Sequence, residues 1–374
     1  MKMKKIYFTD VTPAQWDAWV LTLEDATYHH SWHWLHCLSK FLELKQHVTF
    51  ALLDEESGEV LAICPFGISF LEKENIWKAS LGYFPCGSPA VGFISAKQRR
   101  KLIDYIFQIY HEYMVTYEAK EIHMVVHPLT VGLCEKLPAI ASNFSLELLR
   151  YQLIPHMDNT IVIDLSKSEE VLVSEMSKYH YRHIKRGRDK RIKVHAYTKG
   201  REEHLCEEKI QEMKQAHFIS AGRSTRPDAT WEAMCRGLQD GAATLFVASL
   251  EGAPISYLYC GEFSKMSFGW SQVNVKGYEN FSARHLLEWE AILFYKKEKK
   301  YSYYEVGEKY GGPQVFHIPT EKELSIGVFK ERYGGLFLPK GTWYGYMDKT
   351  HMDATLVQRY NAFIKQARTF SLPT

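Results

Sequence analysis

Three apolar runs decide how the second half of this chain folds: Thr244-Leu-Phe-Val-Ala-Ser-Leu250, Pro254-Ile-Ser-Tyr-Leu-Tyr-Cys-Gly-Glu-Phe263 and Met266-Ser-Phe-Gly-Trp-Ser-Gln-Val273. Short turns at Glu251-Gly252 and Ser264-Lys265 separate these runs. Apolar runs joined by connections of this kind are typical of β-hairpins. We therefore predict a three-stranded antiparallel meander.

Helices with clear boundary signals flank this meander. Ser166-Lys-Ser-Glu169 fits a capping box, in which side chains satisfy the first free amides of a helix. Two more helices are predicted before the meander, and a helix and a returning strand after it. These four elements are Cys206–Ser220, Asp228–Gln239, Ser282 to about Lys299, and Tyr301–Val306.

The first half shows a similar order of elements. Leu102, Ile106, Ile109 and Tyr113 recur at helical spacing and predict a long amphipathic helix. We predict strands or helices at Lys4–Phe8, Pro13–Leu23, His30–Leu44, Val48–Leu53, Val60–Phe70, Ala96–Tyr117 and Glu121–Val126. The sequence thus indicates an α+β fold with two tandem domains, 1–157 and 158–374, that meet near Pro155–Asn159. Each is expected to be a mixed, mostly antiparallel sheet flanked by helices.

Bulk composition narrows the class of protein. The 374 residues exceed the size at which one hydrophobic core stops growing, and the net charge is only +2. Seven scattered cysteines without a C-x-x-C pattern argue against a disulfide framework or zinc ribbon. No apolar run suits a signal peptide or a membrane span. We expect a cytoplasmic enzyme.

A strongly basic segment follows the predicted capping box. Lys178 to Arg201 holds ten Lys or Arg and one acidic residue, Asp189. On a helix, the cations fall opposite an apolar side. Arg182, Lys185 and Arg186 are the candidate phosphate contacts, because guanidinium forks and ammonium groups suit phosphate. A solvated outer face is the alternative. A nucleotide, a lipid pyrophosphate or tRNA would each fit.

Polar and aromatic side chains interrupt the apolar runs of the meander. Tyr257, Trp270 and Gln272 are the candidates to line a substrate groove. A half-exposed sheet face would show the same alternation without any function.

The order of elements, taken with several motifs, resembles the FemABX group of the GNAT acyltransferase superfamily. The motifs are Thr160-Ile-Val-Ile-Asp-Leu-Ser166 before the basic helix, His285-Leu-Leu-Glu-Trp-Glu-Ala-Ile292 running into Tyr303-Tyr-Glu-Val-Gly307, Val328-Phe-Lys-Glu-Arg-Tyr-Gly-Gly335, and, more loosely, Leu81-Gly-Tyr-Phe-Pro-Cys-Gly-Ser-Pro89. The resemblance covers most of the chain and implies tandem GNAT-like domains.

The resemblance also implies a chemistry. FemABX proteins transfer an aminoacyl group from aminoacyl-tRNA to an amine of a peptidoglycan precursor, and related proteins are thought to use acyl-CoA on sugar amines. Lys330 matches the family's lysine in F-K-x-x-F-G-G, with Tyr333 in place of its second Phe. Glu305 stands where the family often has Asp. Glu305 would take the amine proton, and Lys330 would stabilise the oxyanion or the leaving group. The alternative is that Glu305 merely ends a strand and that Lys330 forms an ion pair with it.

The donor stays open between aminoacyl-tRNA and acyl-CoA. A typical GNAT binds pyrophosphate with a glycine-rich loop at a helix N-terminus. Val275–Arg284 stands at that place with only one glycine, which weakens the case for acyl-CoA. The acceptor implied by the resemblance is a phosphate-bearing sugar or peptidoglycan precursor, with peripheral contact to a lipid-linked form.

Two other interpretations are retained beside the leading one. They are an acyl-CoA-dependent N-acetyltransferase of polysaccharide biosynthesis and a non-catalytic RNA- or nucleotide-binding module. We expect no tightly bound cofactor and no metal. His33 and Cys37 share a helix face, but no carboxylate or second ligand pair stands near them in sequence.

Overall fold

The computed structural model describes residues 2–41, 46–72, 74–81, 84–92, 94–134 and 147–366. Two sequence predictions run beyond these ranges. Residues 42–44 of the predicted helix His30–Leu44 lie outside the described part, as do residues 82 and 83 of the Leu81–Pro89 motif.

The first half alternates short strands with helices. Its helices begin at recognisable caps: the Thr12 side chain accepts from the amide of Gln15, and Ser95 forms a capping box with Gln98. The strands are β1 Met3–Tyr7, β2 Gln46–His47, β3 Phe50–Asp54, β4 Val60–Cys64, β5 Gly67–Leu71, β6 Ile76–Ala79, β7 Cys86–Gly87, β8 Ala90–Val91 and β9 Ala119–Val126; the helices are α1 Pro13–Val20, α2 Trp32–Phe41, α3 Ala96–Thr116 and α4 Val131–Cys134.

The second half contains the predicted meander. Its strands are β10 Ile154–Asp164, β11 Lys193–Tyr197, β12 Ala243–Leu250, β13 Ala253–Phe263, β14 Met266–Asn274, β15 Tyr303–Lys309 and β16 Leu336–Tyr346. Its helices are α5 Glu169–Glu175, α6 Lys178–Asp189, α7 Cys206–Ala221, α8 Asp228–Asp240, α9 Ala283–Phe294, α10 Glu321–Glu331 and α11 Lys349–Gln366. Strands β12, β13 and β14 pair antiparallel in sequence order, which confirms the meander.

The strands form two sheets. One has the order β1-β3-β4-β8, and the other runs β11-β12-β13-β14-β15-β10-β16-β9-β6-β5-β2, with β7 paired to β9. The predicted single strand Val60–Phe70 is wrong, because β4 and β5 lie in different sheets. Pro65 stands between them, and proline has no amide proton for continued pairing.

Strand β16 joins the two halves. It pairs antiparallel with β10 of the second half over Ile154–Val162 and with β9 of the first half over Glu121–Val126. The predicted α+β class, with mostly antiparallel sheet flanked by helices, is confirmed. The predicted boundary near Pro155–Asn159 falls inside β10 and remains a prediction.

A second contact between the halves is formed by α2 and α8. His33 of α2 lies against Gly237 of α8, and a Cβ atom placed on Gly237 would sit 2.1 Å from the His33 Cε1 atom. The His33 Nε2 atom lies 2.8 Å from the Tyr259 hydroxyl, which donates to the carbonyl of Met234. The absence of a side chain at Gly237 therefore sets how closely the helices approach.

We expect Gly237→Ala to lower the free energy of unfolding by about 1–3 kcal/mol, because the added methyl overlaps the His33 ring. Gly311→Ala is the matched control, since no atom lies within 4 Å of a Cβ placed there. Urea unfolding of both variants measures the difference. Equal stability of the two would contradict this close helix contact.

Candidate active site

Two neighbouring strands of the second half part soon after they pair. β14 and β15 run parallel, but their pairing covers only Met266–Phe268 against Tyr303–Glu305. A bulge follows in each strand. Trp270 is the extra residue of β14 opposite β13, and Val306 is the extra residue of β15 opposite β10. Because bulges bend strands and re-aim side chains, they mark where the two strands diverge.

A cavity of about 440 Å³ lies where the strands part and the halves meet. Its walls come from β14, β15, α10 and β16 and from first-half segments near residues 28–34, 84–85 and 123–125. Titratable side chains are concentrated here: His29, His123, His156, Asp158, Glu305, Glu308, Tyr310, His317, Lys330 and Lys340. The aromatic part of the wall consists of Tyr28, Trp34, Phe84, Phe268, Trp270 and Tyr344.

Glu305 is a buried carboxylate in this wall and is only 3% exposed. Its Oε1 atom accepts from the Thr160 hydroxyl at 2.5 Å and lies 3.0 Å from the His127 Nε2 atom. Its Oε2 atom is buried and has no partner among the described residues. Burial alone would raise the pKa of this carboxyl, but His127 and Lys340 hold it below its ordinary value. The side chain is therefore ionised, with one oxygen available to a ligand.

Lys330 brings an ammonium to the same cavity from α10. Within the described ranges the Lys330 Nζ atom forms no ion pair and no hydrogen bond. The alternative considered from the sequence, an ion pair between Lys330 and Glu305, is therefore not seen. Burial lowers the pKa of Lys330, while Glu308, Glu288 and Glu305 act in the opposite direction. Lys330 and Glu305, the two predicted catalytic residues, are thus brought to one cavity as separate groups.

Gly307 makes room for this ammonium. It has a φ of +116°, and a Cβ atom there would lie 2.3 Å from the Lys330 Nζ atom. The family-like Tyr-Glu-Val-Gly segment therefore places its glycine directly beneath the lysine of the Phe-Lys motif. Neither motif alone predicts this contact.

A second carboxylate and ammonium lie beside the first pair. Glu308 forms an ion pair with Lys340 of β16, and the Tyr310 hydroxyl donates to its Oε2 atom at 2.6 Å. Lys340 lowers the pKa of Glu308 to about 2. Across the cavity, His156 and Asp158 lie 2.6 Å apart. The cavity thus holds fixed charges of both signs.

The Arg226 guanidinium lies outside the cavity lining, beside Ser271, the residue that follows Trp270 of the aromatic wall. The Arg226 Nη2 atom donates to the Ser271 hydroxyl at 2.8 Å, and the guanidinium lies 4.8 Å from the Trp231 ring. Its Nε and Nη1 atoms are buried without partners among the described residues, and burial lowers its pKa to about 10. No carboxylate of the described chain forms an ion pair with it. A donor-rich cation of this kind suits an anionic ligand group.

The other predicted binding residues are not gathered at the cavity. Trp270 lines it, but Tyr257 is buried in a separate core cluster and donates to Glu212. Gln272 accepts from Arg284 at 2.6 Å, outside the cavity wall. Arg182, Lys185 and Arg186 are exposed on α6, as predicted for the basic helix, and do not line the cavity.

Sequence reasoning missed several residues at and near the cavity. His127, Thr160, Glu308, Lys340 and Arg226 come from segments far apart in the chain, and only Thr160 falls inside a motif quoted for the resemblance. Their meeting is a result of the strand order. A charged residue inside a strand is unusual, so Glu308 and Lys340, which are partly buried, are the two that strand assignment could have raised as candidates.

The described ranges contain no cluster of three or more His, Cys, Asp or Glu side chains able to hold a metal ion. The Cys37 Sγ atom lies 3.7 Å from His33 Nδ1, and burial raises the pKa of Cys37 above its ordinary value. None of the described helices has the length and apolar character that crossing a bilayer requires.

Comparison with solved structures identifies the fold. A crystal structure of FemX superimposes with a TM-score of 0.65 at 11% sequence identity, covering 94% of this chain and 100% of that one. This chain has the FemX fold. The C-terminal domain of a putative lysylphosphatidylglycerol synthetase from Agrobacterium fabrum superimposes with a TM-score of 0.56 at 9% identity, covering 96% and 99% of the two chains.

A third structure, L-PGS from Bacillus licheniformis, shares this arrangement with a TM-score of 0.53 at 12% identity, covering 95% and 97%. No family model and no curated protein sequence matches the chain. The fold that the FemABX-like motifs imply is therefore confirmed, because the likeness to FemX extends over nearly the whole chain.

We expect Gly307→Ala to lower the free energy of unfolding by no more than about 1 kcal/mol beyond the effect of Gly277→Ala, because the Lys330 ammonium ends a flexible side chain and can move aside. Both glycines have a positive φ, so both substitutions share the backbone strain, but only the Cβ at 307 meets another atom, the Lys330 Nζ. Urea unfolding measures both variants. In a Lys330→Ala background, the difference in unfolding free energy between Gly307→Ala and Gly277→Ala should disappear. An unchanged difference would show that the added methyl group at 307 does not displace Lys330.

Proposed function

We propose that this chain transfers an activated acyl or aminoacyl group to an amine of a cell-envelope precursor in the cytoplasm. The proposal rests on one observation: a carboxylate that can accept a proton and an ammonium that can stabilise negative charge lie in the same cavity. Glu305 offers a buried carboxylate oxygen without a partner, and Lys330 offers an ammonium without an ion pair in the described chain. Transfer to an amine requires a group that removes a proton and a group that stabilises developing negative charge.

The reaction can be written on these two residues. The acceptor ammonium gives a proton to the Glu305 Oε2 atom, and the free amine attacks the carbonyl carbon of the donor. Lys330 stabilises the negative charge that forms on the carbonyl oxygen or the leaving oxygen. The C–N bond forms and the bond from the acyl carbon to the leaving group breaks. The second proton that the nitrogen loses goes to the leaving group, and Glu305 releases the first proton to solvent. Holding both reactants in one cavity supplies much of the acceleration.

The donor we favour is an aminoacyl ester such as aminoacyl-tRNA. Only Gly277 stands in the segment before α9, and Ser282 at its N-cap has a φ of +64° with no side-chain cap. That segment lacks the series of glycines that lets backbone amides surround a pyrophosphate. The structural neighbours FemX and L-PGS support the same class of reaction by analogy of fold.

The acceptor we favour carries a phosphate, as a nucleotide- or lipid-linked sugar or peptide does. Arg226 supports this part, because a buried guanidinium with two unpaired nitrogens gains most from an anionic partner. Ser271, which Arg226 binds, directly follows the cavity residue Trp270. An acceptor held by its phosphate near Arg226 would present its amine to the cavity.

Turnover tests the proposal directly. Purified full-length protein is incubated with charged tRNA or acetyl-CoA and with a UDP-linked sugar peptide or an amino sugar, and products are identified by mass spectrometry. We expect transfer from charged tRNA to the UDP-linked peptide. Saturable, acetyl-CoA-dependent acylation of the amino sugar would instead establish the N-acetyltransferase alternative. Binding of tRNA without transfer to any acceptor would favour the non-catalytic module.

We expect Glu305→Gln to lower kcat by about 10²–10⁴-fold with little change in KM, because the amide cannot accept the amine proton. Glu290→Gln is the matched control: Glu290 lies on α9 outside the cavity and pairs with Arg188. Steady-state kinetics of both variants provide the measurement. If Glu305→Gln kept full kcat, Glu305 would not be the base.

We expect Arg226→Met to raise the KM for a phosphate-bearing acceptor by about tenfold or more, through loss of charge-assisted hydrogen bonds. Without substrate, the free energy of unfolding of Arg226→Met should be at least as high as that of wild type. The substitution removes a cation that is buried without a carboxylate partner. Arg223→Met, an exposed neighbour in the same loop, serves as the control. An unchanged KM, or an equal rise in both variants, would remove Arg226 from the acceptor site.

A further inference from the structure

Glu305 of the second half is held by a histidine of the first half. His127 follows β9, is 3% exposed, and places its Nε2 atom 3.0 Å from the Glu305 Oε1 atom. The amide of Leu129 donates to the other ring nitrogen, Nδ1, at 3.2 Å. Because Nδ1 accepts a hydrogen bond, the ring proton of a neutral His127 must be on Nε2. The histidine therefore donates to Glu305.

The two oxygens of the Glu305 carboxylate have different surroundings. His127 and the Thr160 hydroxyl both donate to Oε1, whereas Oε2 has no partner in the described chain. With both donors on one oxygen, rotation of the carboxylate would break two hydrogen bonds. The arrangement leaves the second oxygen for a ligand.

The ring of His127 is itself fixed by packing. The Tyr28 ring lies 5.1 Å away in an edge-on arrangement, and the His29 ring lies 5.0 Å away. Tyr28 also stacks on Phe268 of β14 at 3.8 Å. The first half thus reaches across the cavity and fixes the side chain that contacts Glu305.

We propose that His127 is a positioning residue that holds Glu305 ionised and turned so that Oε2 is the oxygen that removes the amine proton. The inference rests on the function proposed above and adds a residue of the first half to its mechanism. His127 does not itself accept or release the proton, because its Nδ1 atom is engaged by the Leu129 amide and its Nε2 atom by Glu305.

The charged and titratable groups around Glu305 decide the direction of its pH response. They come from every element packed against it: His127 after β9, Lys340 of β16, Lys330 of α10, Glu308 of β15, and Tyr28 and His29 before α2. Burial raises the pKa of Glu305, and His127 and Lys340 lower it. Loss of His127 must therefore raise that pKa. The acid limb of the rate, which requires ionised Glu305, moves to higher pH.

The test compares the pH dependence of kcat/KM for wild type, His127→Leu and His127→Gln between pH 4 and pH 9. We expect the Leu variant to show an acid limb shifted upward by about 1–2 pH units, within the range that loss of one favourable partner produces. Near pH 5 its kcat/KM should fall several-fold relative to wild type. His127→Gln keeps an uncharged hydrogen-bond donor at this position. We expect its kcat/KM at high pH to lie closer to that of wild type than the value for His127→Leu does.

His30→Gln is the matched control for removing a buried histidine from the first half. His30 is 1% exposed, lies 2.7 Å from the carbonyl of Ser88, and does not line the cavity. It should lose stability without moving the acid limb. Equal pH profiles for His127→Leu and His30→Gln would overturn the proposal and leave His127 a packing residue.

A second readout does not depend on turnover. Infrared difference spectra, or NMR of ¹³C-labelled glutamate, report the protonation of Glu305 after subtraction of the Glu305→Gln signal. We expect His127→Leu to raise its titration midpoint, and an unchanged midpoint would overturn the inference even in an inactive protein. Glu305→Gln separates the two ideas. If Glu305→Gln kept full activity, Glu305 would not be the base. If Glu305→Gln were inactive but the pH profile of His127→Leu were unshifted, only the proposed role of His127 would be contradicted.

Discussion

The pairing of β16 on both sides is the constraint on which the rest of the molecule depends. This strand lies between β10 and β9, so it turns two halves into one continuous sheet. The cavity exists because the sheet is continuous there while β14 and β15 part beside it. Lys340 is carried on this same strand and reaches Glu308 on β15. Fold and site therefore share one structural element.

Concentrating charge in such a cavity is costly, and the structure shows how the cost is offset. Burial of a carboxylate without partners raises its free energy by several kcal/mol. Glu308 is balanced by Lys340, and Glu305 by two hydrogen bonds and nearby cations. Among the described residues, the Glu305 Oε2 atom and two nitrogens of Arg226 are buried without partners, and the Lys330 ammonium forms no ion pair. Unpaired buried groups that neighbour a cavity are where ligand atoms fit best.

Periodicity and motif order predicted much of the fold and part of the site. The meander, the long helix of the first half and the α+β class follow from local patterns of apolar residues and turns, which is why they were predictable. Lys330 and Glu305 were found through their motifs. The split of Val60–Phe70 into two sheets depends on where each piece finds its partner strand, and that information is not local. His127 and Lys340 meet Glu305 and Glu308 for the same non-local reason. The basic helix was correctly seen as an exposed cationic face, but no local pattern indicates its distance from the cavity.

The distance along the chain between β9 and β16 bears on synthesis. A ribosome releases residues 119–126 long before residues 336–346, so the growing chain carries β9 with one edge unpaired until β16 has emerged. Unpaired strand edges are templates for aggregation, and nascent chains expose them longest when the partner is distant in sequence. The same delay keeps Lys340 away from Glu308 until β16 has been made. Nascent chains that stop before β16 therefore carry Glu305 and Lys330 without a completed cavity.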